Sequence, residues 1–400
     1  MIVAGKHLSR RDGLSQEDRL LLACTRVSLD DRTRDEIEDL AKAEIDWRVV
    51  FERSKIEGTS SLLYMRIKDI PFVASRVPAE ILSRLRAIYQ GNWARNSILT
   101  DQWSEIMTLF EQAGVQSITH KGMALIHSVY SDPGLRPMAD IDLLIRAADL
   151  PLVRQTLQRA GFRTPDEDLE AEEAFRCYIH FVRDSTVIDL HWELAHYSRF
   201  VAIIRVDHEG LWKRARSLAV GRAQGLMLCP EDALLHLALH LTLGSEFGRL
   251  IWFTDIDAML RRFAGDLDWE GLLEEASRWR IRGILAYTLK VAHESLGSPL
   301  PREILPRLLP GRLRRVVLNS VMETTRPPSL GGQMNDIRSY VAETLLMDRL
   351  CDVLRVIWTS LFPSRTWVKL HYAVTSKWQI SLYRFLHPIR VCYLAAKHLY

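Results

Sequence analysis

The sequence predicts an α+β chain that is predominantly helical, with one small mixed sheet between helical flanks. Three observations carry that expectation. Apolar residues before Val115 recur at helical spacing with no strand signal, period-two alternation appears only between Val115 and Leu194, and helical spacing returns after Pro230.

The elements follow in order. Leu20 to Ala23 open a helix, and Ile37, Leu40, Ala41 and Ile45 continue the helical period. Pro78 starts another, with Ile81, Leu85 and Ile88 on one face; proline is tolerated in a first turn. Ile98, Trp103, Ile106 and Leu109 form a further helix, ended by Gly114. Val115 to Thr119 is β-rich, Met123 to Tyr130 is helical, and Ser131-Asp-Pro-Gly134 is a turn. A strand over Ala139 to Ile145, a helix over Ala148 to Ala160 and a strand over Thr186 to Leu194 complete a strand-helix-strand-helix-strand unit. Helices are then expected over 231–243, 250–263, 272–280 and 284–296. Pro327-Pro-Ser-Leu-Gly-Gly332 reads as a linker, and a helix over Met334 to Val356 precedes the end of the chain. The expected divisions are a helical region 1–114, a core 115–228, a helical domain 229–330 and a basic, aromatic-rich helical region 331–400.

Composition narrows the class. Of 400 residues 48% are apolar, enough for a substantial core, and 20 glycines with 15 prolines exclude a fibrous chain. A net charge of +3 gives no global case for nucleic acid, but the charge is uneven. Residues 351–400 hold seven Lys/Arg against Asp352, together with Trp358, Trp367 and Trp378. That segment is open to three readings: a packed helical end, contact with an anionic membrane surface, or contact with an anionic acceptor. The five cysteines are scattered and odd in number, which fits neither a zinc site nor a disulfide framework. The start lacks the apolar core of a signal peptide and no run of 18 apolar residues exists, so the expected location is the cytoplasm, with the inner membrane face as the alternative that the basic tail leaves open.

Asp140 and Asp142 are the most informative residues. The chain has four Asp-x-Asp pairs, and three have ordinary explanations. Asp166/Asp168 lies in an acidic run, Asp266/Asp268 reads as a turn and helix cap, and Asp255/Asp257 falls in a helical pattern as cap or ion-pair residues. Only Asp140/Asp142 alternates with apolar Ile141, Leu143 and Ile145, so both carboxylates face one side of a strand. Like charges held that close repel, and a divalent cation resolves the conflict. Asp189 stands on a later strand with His191 two residues on, on the same face. Three such carboxylates are the inventory of a two-metal phosphoryl-transfer site. Gly122 opens a helix after a strand, where backbone approaches phosphate, and Lys121 and Arg136 supply cations for a triphosphate. His236 and His240 share a helix face among leucines and read as helix histidines.

Lys121-Gly122, Tyr130, Arg136, Asp140-Ile-Asp142-Leu-Leu-Ile145, Gly161-Phe162 and Ile188-Asp189-Leu-His191-Trp192 resemble the nucleotidyltransferase-fold proteins related to polymerase β. More closely, with Cys24-Thr-Arg26 and Asp46-Trp47, they resemble a bacterial group of uncharacterised nucleotidyltransferases over roughly residues 18–300. The resemblance implies a nucleotidyltransferase core that holds Mg²⁺, two ions with Mn²⁺ as the alternative, through Asp140, Asp142 and Asp189. It implies a phosphate-side role for Gly122. Lys121 and Arg136 are offered by the residues themselves to the triphosphate of an NTP, and His191 is open to three roles: contact with the nucleotide, orientation of Asp189, or a structural histidine. The expected reaction is transfer of a nucleoside monophosphate to an acceptor that is a protein, small molecule, sugar or nucleic acid. One position departs: Met123 stands where the broad superfamily has Gly or Ser to meet a terminal phosphate. The rival readings are a nucleotide-binding protein impaired in catalysis, and a pathway scaffold docked to a membrane or partner through residues 351–400.

Overall fold

A computed structural model describes residues 14–165, 177–195, 198–244, 248–309 and 336–399, together with 316 and 319. The predicted acidic run at 166–173 and the linker at 327–332 lie outside the described residues.

The fold is mostly helical around a six-stranded mixed sheet. Helices Gln16–Cys24, Asp31–Leu40 and Trp47–Ile56 begin on Ser15, Asp30 and Asp46, whose side chains accept from first-turn amides and satisfy orphan donors. The helix Ala79–Gln112 runs unbroken for 34 residues, where the sequence suggested two helices. Gly91 lies inside it with open space where a Cβ would stand, so no close approach requires the glycine and it costs only helix propensity.

The strands are β1 (Ile118–Thr119), β2 (Ile141–Leu144), β3 (Tyr178–Arg183), β4 (Thr186–His191), β5 (Arg216–Val220) and β6 (Ala223–Met227), in the order β3-β4-β2-β1-β6-β5. β2 and β4 are parallel, as are β1 and β6; the other neighbours are antiparallel. Three strands differ from the sequence expectation: β3 and the β5–β6 hairpin were not foreseen. β4 is also shorter than expected, because Glu193 leaves the ladder to accept from the Leu194 amide at 2.8 Å.

The long helix sets the position of the sheet's central edge. Trp103, fully buried, donates from its indole to Thr119 Oγ1 at 2.9 Å and fixes β1. Asn96 donates to the Pro133 and Arg136 carbonyls. Arg95 donates to the Met138 and Ala139 carbonyls at 2.9 and 2.6 Å, which fixes the lead into β2. One apolar cluster, including Trp103, Met123, Ile141, Leu143, Ile188 and Leu190, lies between this helix and the sheet. A larger one unites the N-terminal helices with Pro230–Leu239, Leu250–Arg262 and Arg282–Leu296. The opposite sheet face, with the acidic residues, is left to meet these helices across a gap.

Candidate active site

In the β2/β4 ladder Asp142 pairs in register with Asp189. Register partners in a parallel ladder point to the same face, so these carboxylates stand side by side. β3 adds His180 opposite Asp189 and Tyr178 opposite His191. Asp140 sits one residue before β2, on the loop that Arg95 holds. A cleft of about 400 Å³ opens over this face. Lys121, Gly122, Arg136, Asp140, Asp142, Asp189 and His191, all singled out from the sequence, line it together. The far wall carries His240, Arg249 and Trp252.

The charges are unevenly satisfied. Asp142 is buried, with Lys121 Nζ 2.6 Å from its Oδ1 and His191 Nε2 3.2 Å from the same oxygen. Burial alone would push its carboxyl up, but the Lys121 ammonium and the His191 contact outweigh that and hold it well below the usual carboxylate range. Asp140 differs. Among the described residues no side chain donates to it, and burial together with repulsion from Asp142 and Asp189 pushes its carboxyl up to about 7. Asp189 Oδ1 lies 2.6 Å from His180 Nδ1.

Backbone geometry brings the cation in. Lys121 adopts φ 49°, the left-handed region that non-glycine residues enter at a cost of about 1–3 kcal/mol. It stands one residue beyond β1, after His120, and opens the helix Lys121–Ser128. Gly122 is required next. A Cβ there would lie 2.6 Å from Arg136 Nη1 and 2.9 Å from Met138 Sδ. Met123, the departure from the superfamily pattern, points the other way: it is fully buried in the cluster under the sheet, so its thioether does not line the cleft.

Arg136 carries a second attachment. Its Nε and Nη2 bind Asp255 at 2.9–3.1 Å, and the Tyr130 hydroxyl donates to Asp255 Oδ1 at 2.7 Å. Asp255 is fully buried on the helix Leu250–Arg262, and Asp257 beside it pairs with Arg261 and accepts from Ser298. The Asp255/Asp257 pair is therefore structural, an ion-pair role that its helical spacing allowed. Asp268 caps the helix Trp269–Trp279.

Behind Asp142 lies a group of imidazoles. His120 and His191 each bring a ring nitrogen within 4.8 Å of an Asp142 oxygen and of each other, and the His236 ring packs 4.7 Å from that of His120. Burial keeps His120 and His236 well below the ordinary histidine range, so both are neutral. His236 is thus a core histidine, while His240 reaches the cleft.

The sequence reading missed Tyr178, Arg249 and Trp252 as cleft residues, and His180 as the partner of Asp189. For His180 and Tyr178 the signal was the alternation Tyr178-Ile-His180-Phe-Val-Arg183, in which Ile179 and Phe181 turn inward. Arg249 and Trp252 belong to the start of a helix, and no local pattern marks that turn as a cleft wall.

The surplus of negative charge at Asp140 fits a divalent cation. Three carboxylates converge, and at Asp140 the nearby Lys121 and Arg136 charges do not offset burial and the repulsion of the other two. Oxygen donors suit Mg²⁺, and the imidazoles lie behind Asp142, where they orient it.

No curated protein and no solved structure matches the chain. One family model does, over residues 43–297, a span that includes the whole sheet, Asp140, Asp142 and Asp189, and both walls of the cleft. That span is well over half of the protein, and the chain belongs to the uncharacterised nucleotidyltransferase family.

Proposed function

We propose that the chain transfers a nucleoside monophosphate from an NTP to an acceptor hydroxyl or phosphate, with Mg²⁺ held by Asp140, Asp142 and Asp189. One observation carries the reading: Asp142 and Asp189 share one sheet face, and with Asp140 they line one cleft together with Lys121 and Gly122 at a helix start. Bound divalent cations supply neutralisation of the triphosphate and a more acidic attacking oxygen. The chain's own residues do the rest.

Lys121 exchanges its contact with Asp142 for a phosphate oxygen, so one ammonium serves the empty and the loaded cleft. Gly122 lets the triphosphate approach the backbone at a helix N-terminus, where partial positive charge collects. Arg136 stays on Asp255 through Nε and Nη2 and leaves Nη1 on the cleft side. Arg249, on the far wall over the Trp252 ring, is a cation available to the outer phosphates. Asp189, oriented by His180, takes the acceptor's proton as the new O–Pα bond forms and pyrophosphate departs with the electrons of the broken bond. Because Met123 is turned into the core, the phosphate-side contact after Gly122 falls to backbone rather than to a side chain.

The test is transfer itself. The protein is incubated with each α-labelled NTP, Mg²⁺ or Mn²⁺, and cell extract, and labelled products and pyrophosphate are followed. Asp142→Asn and Asp189→Asn should each lower transfer by on the order of 10³-fold or more. Transfer at the wild-type rate in both variants would falsify the assignment. Metal-dependent NTP binding without any product would favour the impaired, nucleotide-binding alternative.

A further inference from the structure

The end of the chain exposes apolar residues in an ordered way. Large exposed apolar side chains are sparse through most of the described residues but concentrate after residue 340. On the helix Leu350–Leu361 the exposed set is Leu350, Leu354, Ile357 and Trp358, while Asp352 and Val356 are buried. This is amphipathicity turned outward: a helical stripe of apolar residues faces solvent. The helix Lys377–Leu399 repeats it with Trp378, Leu382, Phe385, Leu386, Ile389 and Tyr393, spaced by three, four and seven along one face. Phe385 is 74% exposed and Ile389 63%. The two helices form one unit, joined by His387, whose Nε2 lies 3.1 Å from the Ser360 carbonyl oxygen. Isolated exposed apolar residues are ordinary, but two continuous stripes mark a contact surface.

Charge identifies the partner. Arg355, Arg365, Lys369, Lys377, Arg384 and Arg390 lie on these helices and on the short helix Arg365–His371 between them, and none has a carboxylate partner among the described residues. The single acid of the segment, Asp352, is buried against Arg280 at 3.7 Å. A self-complementary dimer through this face would set identical cations against one another. Nucleic acid would use the cations but not a stripe built largely of Leu and Ile. A bilayer with anionic headgroups satisfies both features: acyl chains take the apolar stripe, headgroup phosphates take the cations, and tryptophan and tyrosine sit at the boundary. Among the described residues no helix is long and apolar enough to cross a membrane.

We propose that the helices Leu350–Leu361 and Lys377–Leu399 dock the protein onto an anionic lipid surface, lying in the headgroup region rather than spanning it. This placement stands apart from the chemistry of the cleft, and its test has no activity readout.

The full-length protein is sedimented with vesicles of phosphatidylcholine alone or mixed with phosphatidylglycerol, at low and high NaCl. The expected result is co-sedimentation with the mixed vesicles, weakened by salt and much reduced on phosphatidylcholine alone. Arg365→Gln/Lys369→Gln/Lys377→Gln should weaken binding by on the order of a hundred-fold, at about tenfold or less per cation. Phe385→Glu/Ile389→Glu should weaken it at least as much, because two large apolar side chains leave the bilayer. Both sets change exposed residues, so thermal melts should match wild type. Absence of binding to the mixed vesicles, or unchanged binding by both variants, overturns the proposal. It is equally overturned if light scattering finds a dimer that Phe385→Glu/Ile389→Glu converts to monomer while vesicles bind neither form, since a second copy then covers the stripe.

Discussion

Asp255, on the helical side of the cleft, accepts from Arg136 through two guanidinium nitrogens and from the Tyr130 hydroxyl. Asp142, on the sheet side, accepts from Lys121 and has a longer contact with His191, while its neighbour Asp140 has no donor among the described residues. Both sites bury a carboxylate beside a cation, but their degree of satisfaction differs. A buried acid whose oxygens are filled by fixed, planar donors is an anchor. An acid held by one flexible ammonium and crowded by two more carboxylates remains able to exchange partners. The distinction between scaffold and reactive edge therefore lies in how completely the oxygens are occupied, since both aspartates are buried.

The sharpest way to break this comparison is to remove the negative charge on each side. Asp255→Asn leaves the Arg136 guanidinium buried without its counter-charge, and breaking a buried pair in this way costs about 3–5 kcal/mol. Asp142→Asn leaves Lys121, whose long side chain can turn its ammonium into the cleft, so the loss should be below about 1.5 kcal/mol. Urea unfolding of both variants measures the difference. Equal losses would mean that Asp142 anchors the fold as firmly as Asp255, and the partner exchange assigned to Lys121 would fail.

The acidic edge was legible because its signal is local. Period-two alternation placed Asp142 and Asp189 on strands without any partner information, and brought Asp140 to within one residue of β2; that β2 and β4 run parallel with the two aspartates in register is what the structure adds. The anchor was not legible as a pair. Arg136 and Asp255 are 119 residues apart, and no spacing rule connects a loop arginine to that helix position. The β5–β6 hairpin was hidden for another reason. Ala223-Gln-Gly-Leu-Met227 alternates weakly, and Gly225 is there because Trp103 packs where a Cβ would lie, 2.8 Å away. Near the end of the chain the sequence left a packed helical end and contact with a membrane or an anionic acceptor open, because periodicity reports that a face is apolar and not which way it turns.

Acid titration sharpens the contrast within the reactive edge. Unfolded, the Asp140 carboxyl loses its proton near 3.8; folded, near about 7. Between those values the folded state holds more protons than the unfolded one, so stability falls as pH rises through the window and levels off above it. Asp140→Asn removes that slope. The variant should gain on wild type by up to about 4 kcal/mol between pH 4 and 7 when no divalent cation is present. Glu57, also pushed up to about 7, titrates in both proteins and cancels from the difference. Asp142, held well below the usual carboxylate range, stays ionised across the window. Parallel pH profiles for the two proteins would remove the case for a surplus charge at Asp140.

Gly122→Ala probes how the anchor limits the reactive edge. The added methyl would meet Arg136 Nη1 at 2.6 Å and Met138 Sδ at 2.9 Å. A thioether on a flexible side chain can yield, but the guanidinium is pinned by Asp255 through its other nitrogens. The clash should therefore cost about 1–3 kcal/mol, as overpacking does, visible as a lower urea midpoint at unchanged slope. Adding Met138→Ala tells the two walls apart. If the sulfur were the obstacle, the double variant would show no further penalty from the methyl at this position beyond that of Met138→Ala alone; if Arg136 is the obstacle, the penalty persists. Persistence means that the Asp255 pair holds the glycine cradle open from behind, so the fully satisfied carboxylate shapes the site in which the unsatisfied ones act.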